Sequence, residues 1–122
     1  MCIVYISMAE KKFTVLDLLE LDLQDHDALE LKCIAGRRGL PKELIVSDIN
    51  RPGLALSGFF DSFAYQRVQL FGRGEVAYLN KLKSENRIDT IKQFFEYDIP
   101  CCVFSHDRTP PEEFIQIAEE AC

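Results

Sequence analysis

A chain of 122 residues with 48% hydrophobic side chains, nine Phe and no Trp suits one domain around one core and is too apolar to be a disordered tail. Its formal charge of −6 argues against the basic face that a nucleic-acid partner requires. Its five Cys are an odd set without Cys-x-x-Cys pairs, which argues against a disulfide scaffold and for reduced thiols.

The chain opens on Met1–Ser7, one apolar strand in length. That is too short to span a bilayer, and it lacks the basic start of a secretion signal, so no membrane partner and a cytoplasmic location are expected. Residues 1–12 read as an extra segment, a tail or an added edge strand, ahead of a single domain over 13–122. Thr14 is a candidate N-cap for a helix over Val15–Leu21, with Leu16, Leu19 and Leu23 inward. Glu20–Glu30, with Asp22, Asp25 and Asp27, reads as a solvated acidic loop. Leu29–Ala35 alternates at period two, as a half-exposed strand does. Gly36-Arg37-Arg38-Gly39 makes a basic loop.

The central stretch follows. A strand over Leu44–Ser47 ends in Asp48, Asn50 and Arg51, and Pro52-Gly53 then turns the chain, because proline presets φ and glycine accepts φ > 0. Leu54–Phe63 carries Leu56, Phe59, Phe60 and Phe63 at helical steps. Arg67–Phe71 reads as a strand closed by Gly72-Arg73-Gly74, with helices expected over Glu75–Leu82 and Ser84–Phe95. Ile99–Ser105 is the continuous apolar run of a strand buried on both faces. Pro110-Pro111 suits the first turn of a last helix reaching Ala121, with Phe114, Ile117, Ala118 and Ala121 toward the sheet. Strands alternating with helices specify an α/β sandwich.

If Leu44–Ser47, Val68–Phe71 and Cys101–Ser105 lie parallel, their carboxyl ends collect Ser47, Asp48, Asn50 and Arg51, then Gly72, Arg73 and Gly74, then Ser105, His106, Asp107 and Arg108, with Ser47, Asp48, Asn50, Arg51, Gly72, Arg73, Ser105 and His106 as the candidate ligand residues. That edge is where open α/β sheets bind ligands. Arg51 reads either as a phosphate or carboxylate clamp or as a structural arginine paired with Asp48 or Asp61. Asp48 reads as a base or, more simply, as a cap of its own turn. Gly72-Arg73-Gly74 offers N–H groups to an anion, or simply connects two elements. Cys101 and Cys102 sit inside an apolar run and read as small core residues. His26 and His106 lack ligand spacing to the thiols, so no metal site is expected. The sequence contains no Gly-x-x-x-x-Gly-Lys-Ser/Thr, no Gly-x-Ser-x-Gly and no His-Glu-x-x-His; no catalytic residue is assigned.

Val46-Ser47-Asp48-Ile49-Asn50-Arg51-Pro52-Gly53-Leu54, with Leu56, Gly58, Phe59, Phe60 and Asp61, resembles the signature of the N-terminal domain of bacterial HPr kinase/phosphorylase. Phe13–Leu19, Ile34-Ala35-Gly36 with Gly39-Leu40, Val68–Gly72, Ile99–Val103 and Pro110–Glu113 fall in the family's order. The resemblance implies a three-layer α/β sandwich with a mixed sheet of about five strands flanked by helices. It also implies a homo-oligomer, hexameric in the family. The parent activity it implies is transfer of phosphate from ATP to a serine of HPr, and its reversal, in carbon catabolite regulation. ATP, magnesium and the phosphate loop belong to a separate C-terminal kinase domain in that family, so this stretch is expected to be catalytically silent. A local likeness of Ser47–Gly53 to the UDP-binding N-terminal domain of muramyl peptide ligases supports an alternative, a small-anion or nucleotide sensor at the sheet edge. Those ligases have Asp-Ser-Arg where this chain reads Ser-Asp-Ile-Asn-Arg.

Overall fold

The computed structural model of the chain describes residues 13–25, 31–46, 48–105 and 108–121. The expectations for Met1–Ser7, for Leu29 and Glu30, and for Ser47 and His106 fall outside these residues.

The first helix, α1 (Val15–Gln24), starts where the Thr14 cap places it. The Thr14 hydroxyl accepts from the Asp17 N–H at 3.2 Å, and the Asp17 carboxylate accepts from the Thr14 N–H at 2.9 Å. Two otherwise orphaned donors are thereby satisfied reciprocally. The helix continues past Leu21, and its inner face differs from the expected one. Leu16 and Leu23 are exposed, whereas Val15, Leu18, Leu19 and Asp22, spaced i, i+3, i+4 and i+7, point inward. Asp22 explains the difference. It is buried, not solvated, and its carboxylate accepts the Leu31 N–H at 3.0 Å. The strand expected over Leu29–Ala35 does not form at 31–35. Leu31 gives its N–H to a side chain, and Gly36, at φ 68°, swings the backbone into a 3-10 turn over Arg37–Gly39.

Leu44–Val46, the described part of the expected first strand, forms no sheet strand either. The backbone of 42–44 is taken by residues 13–15: Leu44 N–H donates to Phe13 O at 2.7 Å, Val15 N–H donates to Lys42 O at 2.9 Å, and Thr14 bridges Glu43 antiparallel. The sheet instead begins at β1 (Ile49–Asn50), followed by the one-turn helix α2 (Gly53–Leu56). Leu56 N–H donates to the Pro52 carbonyl at 2.9 Å, and Gly58, at φ 100°, ends the helical path long before Phe63. Phe60 and Phe63 nevertheless pack on the core, while Phe59 is exposed.

Strand β2 (Val68–Phe71) leads into α3 (Arg73–Ser84), which buries Val76, Leu79 and Leu82. Asn86, at φ 58°, and a 2.7 Å bond from Arg87 N–H to Leu82 O close that helix. The next one, α4 (Asp89–Phe94), is therefore shorter than Ser84–Phe95. Strand β3 (Cys102–Phe104) precedes α5 (Glu112–Ala121). Pro111 stands just before α5, its carbonyl accepting from Phe114 N–H at 3.0 Å, so the two prolines lead into the helix without occupying it.

The strands pair in the order β1-β2-β3, all parallel, with Ile49 opposite Val68, Gln69 opposite Cys102 and Phe71 opposite Phe104. The fold is α/β, a parallel sheet flanked by helices. Three strands stand among the described residues where a mixed sheet of about five was expected, and antiparallel pairing there is confined to the Thr14–Glu43 bridge. The core is aromatic: Phe71 stacks on Phe104 at 4.6 Å and meets Phe94 and Phe114 edge-on at 5.9 and 5.4 Å. Burying each such ring contributes on the order of 2–3 kcal/mol.

Candidate functional site

Parallel pairing brings the carboxyl ends of β1, β2 and β3 to one edge. Asn50 and Arg51 leave β1, Gly72 and Arg73 leave β2, and Ser105 leaves β3. Ser105 N–H donates to Phe71 O at 3.0 Å, which seats it beside Gly72. Asp48 is not part of this edge. It precedes β1, at the amino end of that strand, because β1 starts at Ile49 and not at Leu44. Of the eight residues expected at the crevice, the structure thus gathers Asn50, Arg51, Gly72, Arg73 and Ser105, separates Asp48, and leaves Ser47 and His106 outside the described residues.

The chemistry at the edge is set by a residue that sequence reasoning did not select. Glu75 is the third residue of α3, and one oxygen of its carboxylate, Oε1, accepts from the Gly72 N–H at 2.7 Å and from Arg51 Nη2 at 2.6 Å. An acid at this position satisfies an orphan donor and faces the positive end of the helix. The partner of Arg51 is therefore Glu75, neither Asp48 nor Asp61. Burial pushes the Glu75 carboxyl up, but hydrogen bonds from Arg51 and the Gly72 N–H together pull it below the ordinary carboxylate value. The same pairing holds the Arg51 guanidinium more firmly protonated. The spacing Gly72-x-x-Glu75 was the available signal.

Gly72 has a steric reason to lack a side chain. A Cβ there would lie 2.9 Å from Arg51 Nη2 and 3.3 Å from Glu75 Oε1. Its backbone is extended, at φ −101°, so close approach and not strain selects glycine. Arg73 is exposed at the first turn of α3.

Beneath the edge lies a second unpredicted residue, Gln69, fully buried in the middle strand. Its amide N–H groups donate to Ala64 O at 2.9 Å and Arg67 O at 2.8 Å, and its carbonyl accepts from Asn50 Nδ2 at 2.7 Å. Asn50 is thus tied to the sheet from below, as buried polar groups require. Among the described residues no group of His, Cys, Asp or Glu is placed to hold a metal ion.

Comparison with known proteins places the signature stretch within a matched family region. The family described as HPr Serine kinase N terminus matches residues 15–122. The chain belongs to that family. Similar family members include the HPr kinase/phosphorylase of Treponema pallidum (strain Nichols), 56% identical over 102 residues, covering 84% of this chain and 32% of that protein. The HPr kinase/phosphorylase of Leptospira biflexa (strain Patoc 1 / Ames) is 42% identical over 102 residues, with the same coverage of each. That of Streptococcus uberis is 40% identical over 95 residues, covering 77% of this chain and 31% of that protein. The chain spans about a third of the length of these relatives.

Proposed function

We propose that this chain serves as the regulatory and assembly domain of a bifunctional HPr(Ser) kinase/phosphorylase, acting in carbon catabolite regulation, with phosphoryl transfer performed by residues beyond these 122. The observation that carries the reading is the family match over 15–122 by relatives about three times as long. ATP and magnesium then belong to the other part of the protein, HPr is the substrate of the whole, and the assembly is a hexamer in the cytoplasm. No helix among the described residues is long and apolar enough to cross a membrane. In this reading residues 1–12 are an extension of the 13–122 domain, and further strands complete a mixed sheet of about five.

The carboxyl edge is read here as a brace. A carboxylate of the protein itself, Glu75, occupies the position at the start of α3 that an external anion would take. That favours the structural role of Arg51 over a small-anion or nucleotide sensor. Sedimentation equilibrium tests the assembly role. The 122-residue chain should associate in a concentration-dependent manner, and deleting the matching third of the Treponema pallidum relative should reduce its oligomer. A chain monomeric at every concentration, with unchanged assembly of the shortened relative, would refute it.

A further inference from the structure

A cavity of about 360 Å³ lies between the inner face of α1, the 31–36 segment, β3 and α5, and neither Arg51 nor Glu75 lines it. This volume falls within the range of small-molecule sites. Leu19, Val103, Ile115 and Ala118 give it an apolar wall. The charged residues described along its lining are Lys32, Lys42 and Arg108, three cations and no carboxylate. The chain as a whole has the opposite bias, with 20 acidic against 14 basic residues.

Two described acids, Asp98 and Glu119, are already engaged. Asp98 holds Lys42 Nζ at 2.9 Å. Glu119 accepts from the Gly36 N–H at 2.6 Å, and its main-chain carbonyl accepts from Arg38 at 3.0 Å. Arg108 is partly buried, and its guanidinium has no hydrogen bond or ion pair among the described residues. Burial pushes the Cys101 thiol up to about 11, so that thiol brings no negative charge to the cavity wall near neutral pH. A guanidinium beside apolar walls, with no carboxylate paired to it among the described residues, complements an anion with an apolar body.

We propose that this cavity binds an amphipathic carboxylate, a straight-chain acyl anion with its chain between α1 and α5 and its carboxylate on Arg108. At roughly 30 Å³ for each water-sized group, the space holds a chain of about eight to twelve carbons. The site is independent of the assembly role proposed above.

Calorimetric titration and thermal melting of the 122-residue chain with sodium decanoate and decyltrimethylammonium below their micellar concentrations, and with decanol below its solubility limit, test the assignment. Decanoate should bind and raise the melting temperature, decanol should bind more weakly, and the cation should not bind. Arg108→Gln, at the cavity rim, should weaken decanoate about tenfold, the equivalent of one charge-assisted hydrogen bond. Ala118→Phe should fill the cavity and abolish binding, with circular dichroism confirming the fold. Absence of decanoate binding would overturn the proposal. So would equal binding of decanoate and decanol with no effect of Arg108→Gln, which would make the cavity an unselective apolar cleft. A dimer that Ala118→Phe dissociates, without decanoate binding, would assign the groove to a second copy and likewise overturn it.

Discussion

Glu75→Ala removes the single carboxylate oxygen shared by the Gly72 N–H at 2.7 Å and Arg51 at 2.6 Å. Losing a side-chain acceptor at a helix N-terminus costs about 0.5–2 kcal/mol. Losing a pair with a cation that is itself 55% exposed adds little, since Arg51 returns to water. The expected loss is therefore about 0.5–2 kcal/mol, set by the cap and read from urea unfolding at pH 7 as a lower midpoint with an unchanged slope. Glu75→Gln keeps an acceptor for the Gly72 N–H and gives up the charge, so it should cost about a third of that. The pH dependence follows from the direction of the shift. The Glu75 carboxyl is depressed in the folded state from its usual 4.5, so its contribution is fully present above that value. It is lost as pH falls through the lower folded-state value. The gap between wild type and Glu75→Gln should therefore be constant from pH 7 to about 5 and close in more acidic solution. A Glu75→Ala chain as stable as wild type, or a gap that widens on acidification, would refute the brace.

Gly72→Ala places a methyl 2.9 Å from Arg51 Nη2 and should cost about 1 kcal/mol, the value of the displaced pair plus a poorer cap. In an Arg51→Ala background the same change should cost clearly less, and equal costs in the two backgrounds would show that the residues are uncoupled. Thr14→Ala dismantles the α1 capping box and should lower stability by about 1 kcal/mol in urea unfolding. Asp22→Ala should cost about 1–3 kcal/mol by leaving the Leu31 N–H without its acceptor, with faster hydrogen exchange of that amide as the local readout.

The sequence made the fold class legible wherever local chemistry and packing agree. Thr14 announced α1, the apolar run around Val68–Phe71 announced the middle strand, and Phe114 with Ile117 marked the inner side of α5. It misled where a polar residue took an apolar place. Asp22 sits on the inner stripe of α1 because the Leu31 N–H reaches it, and no periodicity rule places an aspartate there. The same holds for Gln69, whose burial depends on carbonyls at 64 and 67 and on Asn50 across the ladder. Positive φ at Gly58 and Asn86 cut two expected helices short, and apolar spacing alone does not report such breaks. At the candidate site, Arg51 and Gly72 were readable from their position after strands. Their partner was not chosen, because Glu75 was read as the first residue of a helix that in fact begins at Arg73. The shift of β1 to Ile49 removed Asp48 from the edge for a similar reason: hydrogen bonds to Phe13 and Val15 claimed the preceding backbone.

Under the proposed function these 122 residues contribute shape and contacts while phosphoryl transfer resides elsewhere in the protein. Incubating the chain with HPr, ATP and magnesium, and measuring serine-phosphorylated HPr by mass spectrometry, addresses this most directly. HPr should remain unmodified over hours, while the full-length Treponema pallidum relative phosphorylates it under the same conditions. Phosphoserine on HPr formed by the 122-residue chain alone would contradict the account.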